Sequence, residues 1–278
     1  MKIATWNVNS IRTRFPLVVD FLHREDIDVL LMQETKCRDD QFPFEAFTDA
    51  GYDLAHYGLN QWNGVGIASR LPLSDSEQGF AGMPGFAKDP AADQPAEARA
   101  ISATVEGVRL CSVYVPNGRS LDDPHMTYKV SWLKALGAAY GNYGEREGAL
   151  PFVIGGDFNV APFDSDVGDP IFWEPGVTHT SPPEREALEF FQSRAKVSDV
   201  VRPSIPEGYT FWDYKQGKFA KDHGLRIDFL YGSSEITDRV VEVNIHREER
   251  TKESPSDHVP VSVEIDNLGG DDDRPMVF

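Results

Sequence analysis

Apolar positions along this chain follow two periods, and polar side chains gather where the apolar runs stop. Residues 2–8 read as an opening strand, with Ile3 and Trp6 apolar and Asn7 and Asn9 on one side of its end. Phe15, Val18, Phe21 and Leu22 recur at helical spacing and predict an amphipathic helix over residues 14–24. The run at 28–34 predicts a second, buried strand that closes on Gln33 and Glu34. Two short strands are expected at 52–57 and 64–69, joined by a polar turn. Residues 79–95, rich in Gly, Pro, Ala and Asp, read as a loop. Strands at 100–104 and 108–115 form a hairpin around Glu106 and Gly107, and the second ends in Tyr114.

Val130, Leu133, Leu136, Tyr140 and Tyr143 mark a helix over 125–143. A polar loop at 161–183 leads to a helix from Glu184, with Leu188 and Phe191 on its apolar face and Pro183 just ahead of it. Strands are predicted at 210–214, 225–231 and 240–245. A last one alternates Val259, Val261, Val263 and Ile265 with polar positions. Between these lies residues 150–160, Leu-Pro-Phe-Val-Ile-Gly-Gly-Asp-Phe-Asn-Val. Its apolar run suits a buried strand, and Gly155 and Gly156 follow where the backbone turns or is closely approached. Asp157 and Asn159 then fall on one side of the extended chain. An ordinary turn explains Gly-Gly-Asp and Asn equally well on this stretch alone.

Strand, helix, strand with a terminal acid occurs near the start and again around Asp157, which hints at two similar halves. The pattern predicts one α/β domain over residues 1–266, with sheets packed face to face and helices outside. Residues 267–278 are acidic and aperiodic, and a disordered tail is expected there.

Composition changes this picture in two places. A chain of 278 residues with 40% hydrophobic content can bury a sizeable core. It contains no apolar run of about 18 residues, so no membrane span is expected. No signal segment precedes the first strand pattern, and Cys37 and Cys111 lack metal-like spacing. Free thiols and a cytoplasmic location follow as expectations, with a monomer as the default. The net charge of -18 argues at face value against a nucleic-acid partner. Its distribution weakens that argument, because acids concentrate in the tail and in the 89–97 loop.

The polar residues at strand ends are Asn7, Glu34, Tyr114, Asp157, Asn159, Asp228, Asp257 and His258. Together they offer four carboxylates, two amides, a phenol and an imidazole. Such hard oxygen donors suit Mg²⁺. Phosphoryl-type hydrolysis needs what the set contains: charge neutralisation, a base for water and donors for an oxyanion. Neither a zinc-like Cys/His arrangement nor a Gly-rich phosphate loop ending in Gly-Lys is present. Adjacent Asp257 and His258 point apart on an extended chain, which opposes a hydrolase triad.

Seven stretches, in order, carry a resemblance. They are residues 5–14, 33–36 (Gln-Glu-Thr-Lys), 114–118 (Tyr-Val-Pro-Asn-Gly), 156–159 (Gly-Asp-Phe-Asn), 210–214 (Thr-Phe-Trp-Asp-Tyr), 224–228 (Gly-Leu-Arg-Ile-Asp) and 256–258 (Ser-Asp-His). They resemble the exonuclease III family of apurinic/apyrimidinic endonucleases, within the endonuclease/exonuclease/phosphatase superfamily. The resemblance implies a four-layer, DNase I-like α/β-sandwich with the site at one end. It implies a Mg²⁺ or Mn²⁺ cofactor bound by Glu34, with Asn7 and Asp257 close and Asp157, Asn159 and His258 around the same position. Asp157 would activate water, Tyr114 and Asn159 would donate to the phosphate, and Asp228 would orient His258. Phe211, Leu225 and Ile227 would wall a pocket for a flipped, baseless sugar. Arg119, Lys129, Lys215, Lys218 and Lys221 would hold backbone phosphates. The implied activity is incision of duplex DNA 5′ to abasic sites, with trimming of blocked 3′ ends and 3′-to-5′ exonuclease action. Two other readings stay open: a superfamily phosphatase for a small or lipid phosphoester, and a DNA-binding protein without catalysis.

Overall fold

A computed structural model describes residues 1–89 and 91–266; the expected acidic tail lies outside the described residues. In chain order the first half comprises β1 (Lys2–Asn7), α1 (Ile11–Arg24), β2 (Val29–Gln33), α2 (Phe44–Asp49), β3 (Asp53–Tyr57), β4 (Val65–Ser69) and β5 (Ser74–Gln78). The hairpin β6 (Ala100–Val105) and β7 (Val108–Tyr114) leads to α3 (Pro124–Gly144), β8 (Phe152–Asp157) and α4 (Pro182–Ala195). The chain closes with β9 (Ser198–Asp199), β10 (Asp228–Gly232), α5 (Ser234–Thr237), β11 (Val240–Ile245) and β12 (Val261–Ile265).

These strands make two six-stranded sheets, ordered β11-β12-β1-β2-β4-β3 and β5-β6-β7-β8-β10-β9. Each has one parallel pair at its centre, β1 with β2 and β7 with β8, flanked by antiparallel neighbours. In each pair a helix makes the return, α1 in the first and α3 in the second, as a parallel connection requires. The two sheets therefore repeat one plan, which gives physical form to the two halves seen in the sequence.

Three buried apolar clusters fill the spaces between four layers. Val29, Leu31, Ile67, Leu110, Val153 and Leu230 pack between the sheets. Trp6, Phe21, Leu30 and Phe47 join the first sheet to α1 and α2. Trp132, Leu133, Ile154, Leu188 and Phe191 join the second sheet to α3 and α4. Among the described residues no helix is long and apolar enough to cross a membrane.

Two departures from the sequence pattern concern the site. The aromatic stretch at 210–214 is not a strand: Phe211 makes isolated bridges to Leu225 and to His258, and Trp212 N–H donates to the Asp257 carbonyl at 2.9 Å. Residues 225–227 leave the sheet before β10 begins, because Leu225 bonds Phe211 and Arg226 N–H bonds the Asp166 carbonyl. The edge strand β5 is exposed throughout and has no apolar alternation to betray it.

Candidate active site

The parallel pairs bring their polar ends to one place. Asn7 lies opposite Gln33 across β1 and β2, so Glu34 follows one residue beyond. Tyr114 lies opposite Asp157 across β7 and β8, and Asp228 lies opposite Asp157 on the other side. The sheets are joined just beneath: Gln33 donates to Ser112 Oγ at 2.9 Å, and Ser112 donates to the Met32 carbonyl at 2.8 Å. Gly155 and Gly156 permit this approach. A Cβ at Gly156 would sit 1.9 Å from the Val113 carbonyl oxygen, and one at Gly155 would sit 2.6 Å from Leu230 Cδ2. Neither glycine turns the chain; both serve close approach.

Asn7 is the hub of the acidic cluster. Its amide nitrogen donates to Glu34 Oε1 at 2.8 Å and to Asp157 Oδ2 at 3.0 Å. Its carbonyl oxygen accepts from Asn9 N–H at 3.0 Å. Lys36 Nζ lies 2.6 Å from Glu34 Oε2. Across from them, His258 Nδ1 is 2.8 Å from Asp228 Oδ2, and its Nε2 is 3.8 Å from Asp157 Oδ2. Thr210 Oγ1 donates to the same Asp228 oxygen at 2.6 Å. Asp228 Oδ1 is buried and has no hydrogen-bond partner among the described residues.

Electrostatics separates these groups. Burial pushes Asp157 up to about 7, helped by the negative charges of Asp228 and Glu34 and opposed by His258. Burial alone would lower His258, but Asp228 and then Asp157 outweigh it and push the imidazole up to about 10. Burial would likewise raise Glu34, yet Lys36 and the Asn7 amide hold it below the usual carboxylate value. Burial, followed by the charge of Glu34, keeps the Tyr114 hydroxyl well above its usual value, so it remains a donor. The arrangement offers a high-pKa carboxylate, a cationic imidazole and a phenol around one space. A groove of about 500 Å³ adjoins it, lined by Trp62, Arg99, Tyr114, Asn117, Arg119 and His125 among others.

Not every expected residue meets there. Asp257 accepts from Asn9 Nδ2 at 2.9 Å and stands apart from the group of Glu34, Asp157 and His258. Asn159 turns its side chain away: its amide donates to the Val115 carbonyl at 3.0 Å and its oxygen accepts from Asn117 at 3.2 Å. Its backbone N–H, in contrast, holds Asp157 Oδ1 at 2.9 Å. Leu225 and Ile227 are buried with Ala161, packed against Val167, Phe172 and Phe211. Of the three expected pocket walls only Phe211 is half-open, with its ring 4.8 Å from the His258 ring. Lys129 is not a surface charge: it is fully buried against Glu184. Lys218 pairs with Asp169 at 2.7 Å. Arg119, Lys215 and Lys221 remain exposed.

Lys36, Thr210 and His179 complete the surroundings without having been singled out for a role in the sequence. His179 Nδ1 meets the Asn159 carbonyl at 2.6 Å and must donate there, so burial first, then Lys129, drives its pKa down to about 4 and leaves it neutral. Among the described residues fourteen non-glycines have positive φ, and half of them stand in this region: Asn9, Ser10, Glu34, Lys36, Arg119, Asn159 and His179. Each costs on the order of 1–3 kcal/mol unless its surroundings enforce it, and such strain concentrates at functional sites.

A divalent cation fits this donor set. The carboxylate oxygens of Glu34 and Asp157 lie within 4.8 Å of one another and suit a hard ion, and the cationic His258 borders them within the same distance.

A family model described as the endonuclease/exonuclease/phosphatase family matches residues 4–258. Among solved structures, the chain is similar to the 3′ phosphatase NExo from Neisseria bound to a product DNA hairpin. The identity is 37%, covering 96% of this chain and 99% of that one, with a TM-score of 0.86. An AP endonuclease from Archaeoglobus fulgidus is 32% identical, covering 96% and 99%, with a TM-score of 0.84. Exodeoxyribonuclease III of Haemophilus influenzae is 28% identical over 95% of this chain and 100% of its own length. The matched segment runs from β1 to His258 and takes in the whole acid and imidazole cluster, and the chain belongs to the endonuclease/exonuclease/phosphatase family.

Proposed function

We propose that this protein is a divalent-metal-dependent nuclease of DNA repair, acting on duplex DNA at abasic sites and at blocked 3′ ends. One observation carries the reading: Asn7 ties Glu34 to Asp157 beside His258, and Asp228 fixes the far side of the imidazole. Glu34 would hold Mg²⁺ or Mn²⁺, with Asp157 and His258 bordering it. When bound, the ion supplies positive charge against the phosphate oxygens. Asn7 then positions Glu34 and Asp157 through its amide, and Asp257 reaches that amide only through Asn9. Asp157, pushed up to about 7, accepts a proton from water as the water oxygen bonds to phosphorus. His258 Nε2–H and the Tyr114 hydroxyl donate to the phosphate oxygens where charge develops. The bond from phosphorus to the 3′ oxygen breaks, the departing oxyanion takes a proton from solvent to give a 3′-hydroxyl, and Asp157 returns its proton to solvent. The same bond is broken whether the phosphorus carries an abasic sugar or is a terminal 3′-phosphate. Asn159 contributes through its backbone grip on Asp157. Buried free thiols at Cys37 and Cys111 support a reducing, cytoplasmic location.

A narrower reading, 3′-end processing alone, is favoured by the burial of Leu225 and Ile227, which leaves Phe211 as the one expected wall with open surface. A 3′-terminal phosphate needs no flipped sugar, whereas an abasic site inside a strand does. The test uses two labelled duplexes, one with an internal abasic analogue and one nicked with a 3′-phosphate, in Mg²⁺, Mn²⁺ or chelator. Metal-dependent turnover of both supports the full reading. Turnover of the 3′-phosphate alone supports the narrower one. Turnover of neither overturns both.

A further inference from the structure

Behind the acid cluster lies a second buried polar group that the reaction does not touch. Lys129 projects from α3 with no exposed side-chain surface. Its ammonium meets the Glu184 carboxylate, the Asn159 carbonyl at 2.6 Å, the Asn117 carbonyl at 3.0 Å and Thr178 Oγ1 at 3.2 Å. Glu184 is equally enclosed. Its Oε1 accepts from Thr178 Oγ1 at 2.6 Å and His179 N–H at 2.8 Å, and its Oε2 accepts from Ser181 N–H at 3.1 Å and Ser181 Oγ at 2.6 Å. Ser181 and Glu184 also form the capping box that starts α4.

The targets of these bonds are three loops, all bordering the site. Each contains left-handed backbone: Gly118 and Arg119 at φ 92° and 60°, Asn159 at 53°, and His179 at 85°. Asn159 receives two donors on one carbonyl, from Lys129 and from His179, while its N–H grips Asp157 Oδ1. The pair thus reaches the carboxylate proposed as the base through a single residue. A buried ion pair is a poor device for stability alone, since apolar side chains of similar volume often do as well or better. Here the lysine's three protons and the carboxylate's lone pairs are aimed at loop backbone and loop side chains, which apolar substitutes could not hold.

We propose that Lys129 and Glu184 are positioning residues of the nuclease site: together they clamp the 117–119, 157–159 and 178–181 loops and set the aim of Asp157. This rests on the nuclease reading of the Asp157 cluster. The assignment separates aim from stability, and one double variant tests it. Lys129→Met with Glu184→Leu removes both charges and fills the space with apolar atoms. Its melting temperature should fall, because the His179 and Ser181 N–H groups lose their acceptor and α4 loses its capping box, while kcat of the folded protein on a 3′-phosphate nicked duplex falls about 100-fold, the scale of a misplacement near 1 Å. KM should change less than kcat, because the exposed cations Lys215 and Lys221 lie outside the clamped loops. A double variant that is folded at the assay temperature and keeps its kcat overturns the proposal, leaving the pair merely structural. If that variant does not fold, Glu184→Gln decides: a folded protein with kcat reduced tenfold or more at unchanged KM supports the clamp, and parental kcat overturns it. Wild-type protein in the same series guards the underlying reading. Wild-type inactivity on both duplexes overturns the nuclease reading and the clamp with it, whereas an active wild type beside an equally active variant overturns the clamp alone.

Discussion

Two polar clusters lie back to back at the same end of the sandwich and are built on opposite terms. Around Lys129 and Glu184 the polar atoms are satisfied: the ammonium has four acceptors and the carboxylate has the ammonium and four further bonds. Around Asp157 the charges do not cancel. Three carboxylates, from Glu34, Asp157 and Asp228, crowd one imidazole, Asp228 Oδ1 has no hydrogen-bond partner among the described residues, and His258 Nε2 is 3.8 Å from the nearest carboxylate oxygen. The first cluster lowers its free energy by holding loops. The second is held in a state that a cation and a phosphate would relieve.

The largest effect should come from breaking the unsatisfied cluster. Asp157→Asn should cut turnover by about 10³–10⁴-fold, the upper range for a general base, while DNA binding by gel shift persists. Because ionising Asp157 is disfavoured in the fold, the same substitution should raise the melting temperature of the metal-free protein at pH 8; a lower value would mean the cluster is not strained. Next comes the satisfied cluster. Lys129→Met alone strands a buried carboxylate and should cost about 3–5 kcal/mol in urea unfolding. A loss under 1 kcal/mol would show Glu184 to be solvated. His258→Ala should lower kcat/KM by about 10²–10³-fold, as loss of one transition-state donor does. A change within error would reduce His258 to a packing residue.

The clusters should also differ in the sign of their response to pH. Glu184 is held at about 2, below its ordinary 4.5: burial opposes this and the Lys129 charge and its hydrogen bonds prevail. Its contribution is complete above pH 4.5 and is lost as pH falls toward 2, a difference worth roughly 3 kcal/mol. Asp157 is raised from 3.8 to about 7, so it takes stability away as pH rises through that interval. Unfolding free energies of the wild type and Asp157→Asn between pH 4 and 8, without metal, should diverge as pH rises; parallel curves would contradict the raised pKa. The smallest effect belongs to the surface. Lys215→Ala and Lys221→Ala should each reduce the salt dependence of DNA binding by about one unit of slope and leave kcat alone. An unchanged slope would place DNA elsewhere.

How much of this was legible follows from the same contrast. Asn7, Glu34, Tyr114, Asp157, Asp228 and His258 were readable because each closes or adjoins an apolar run, and strand ends in a packed sandwich converge. Asp257 stands beside the cluster, on Asn9. Side chains alternate along extended backbone, and that alternation directs it to Asn9 while His258 faces inward. Lys129 looked like a surface cation because its partner lies 55 residues away, and no local spacing joins a helix lysine to the first turn of another helix. The 210–214 stretch is rich in aromatics, as strands are, but its hydrogen bonds go to the Asp257 and Leu225 carbonyls and not to a ladder. Sequence periodicity reports burial; it does not report which buried polar groups find one another.

The most direct test of the central claim is metal-dependent hydrolysis of a labelled duplex nicked with a 3′-phosphate, comparing wild type with Asp157→Asn. Conversion to a 3′-hydroxyl by the wild type with Mg²⁺ or Mn²⁺, abolished by chelator and by the substitution, is the predicted result. Turnover that survives Asp157→Asn, or a wild type inert with both metals, would contradict the assignment of the Glu34, Asp157 and His258 cluster as a nuclease centre.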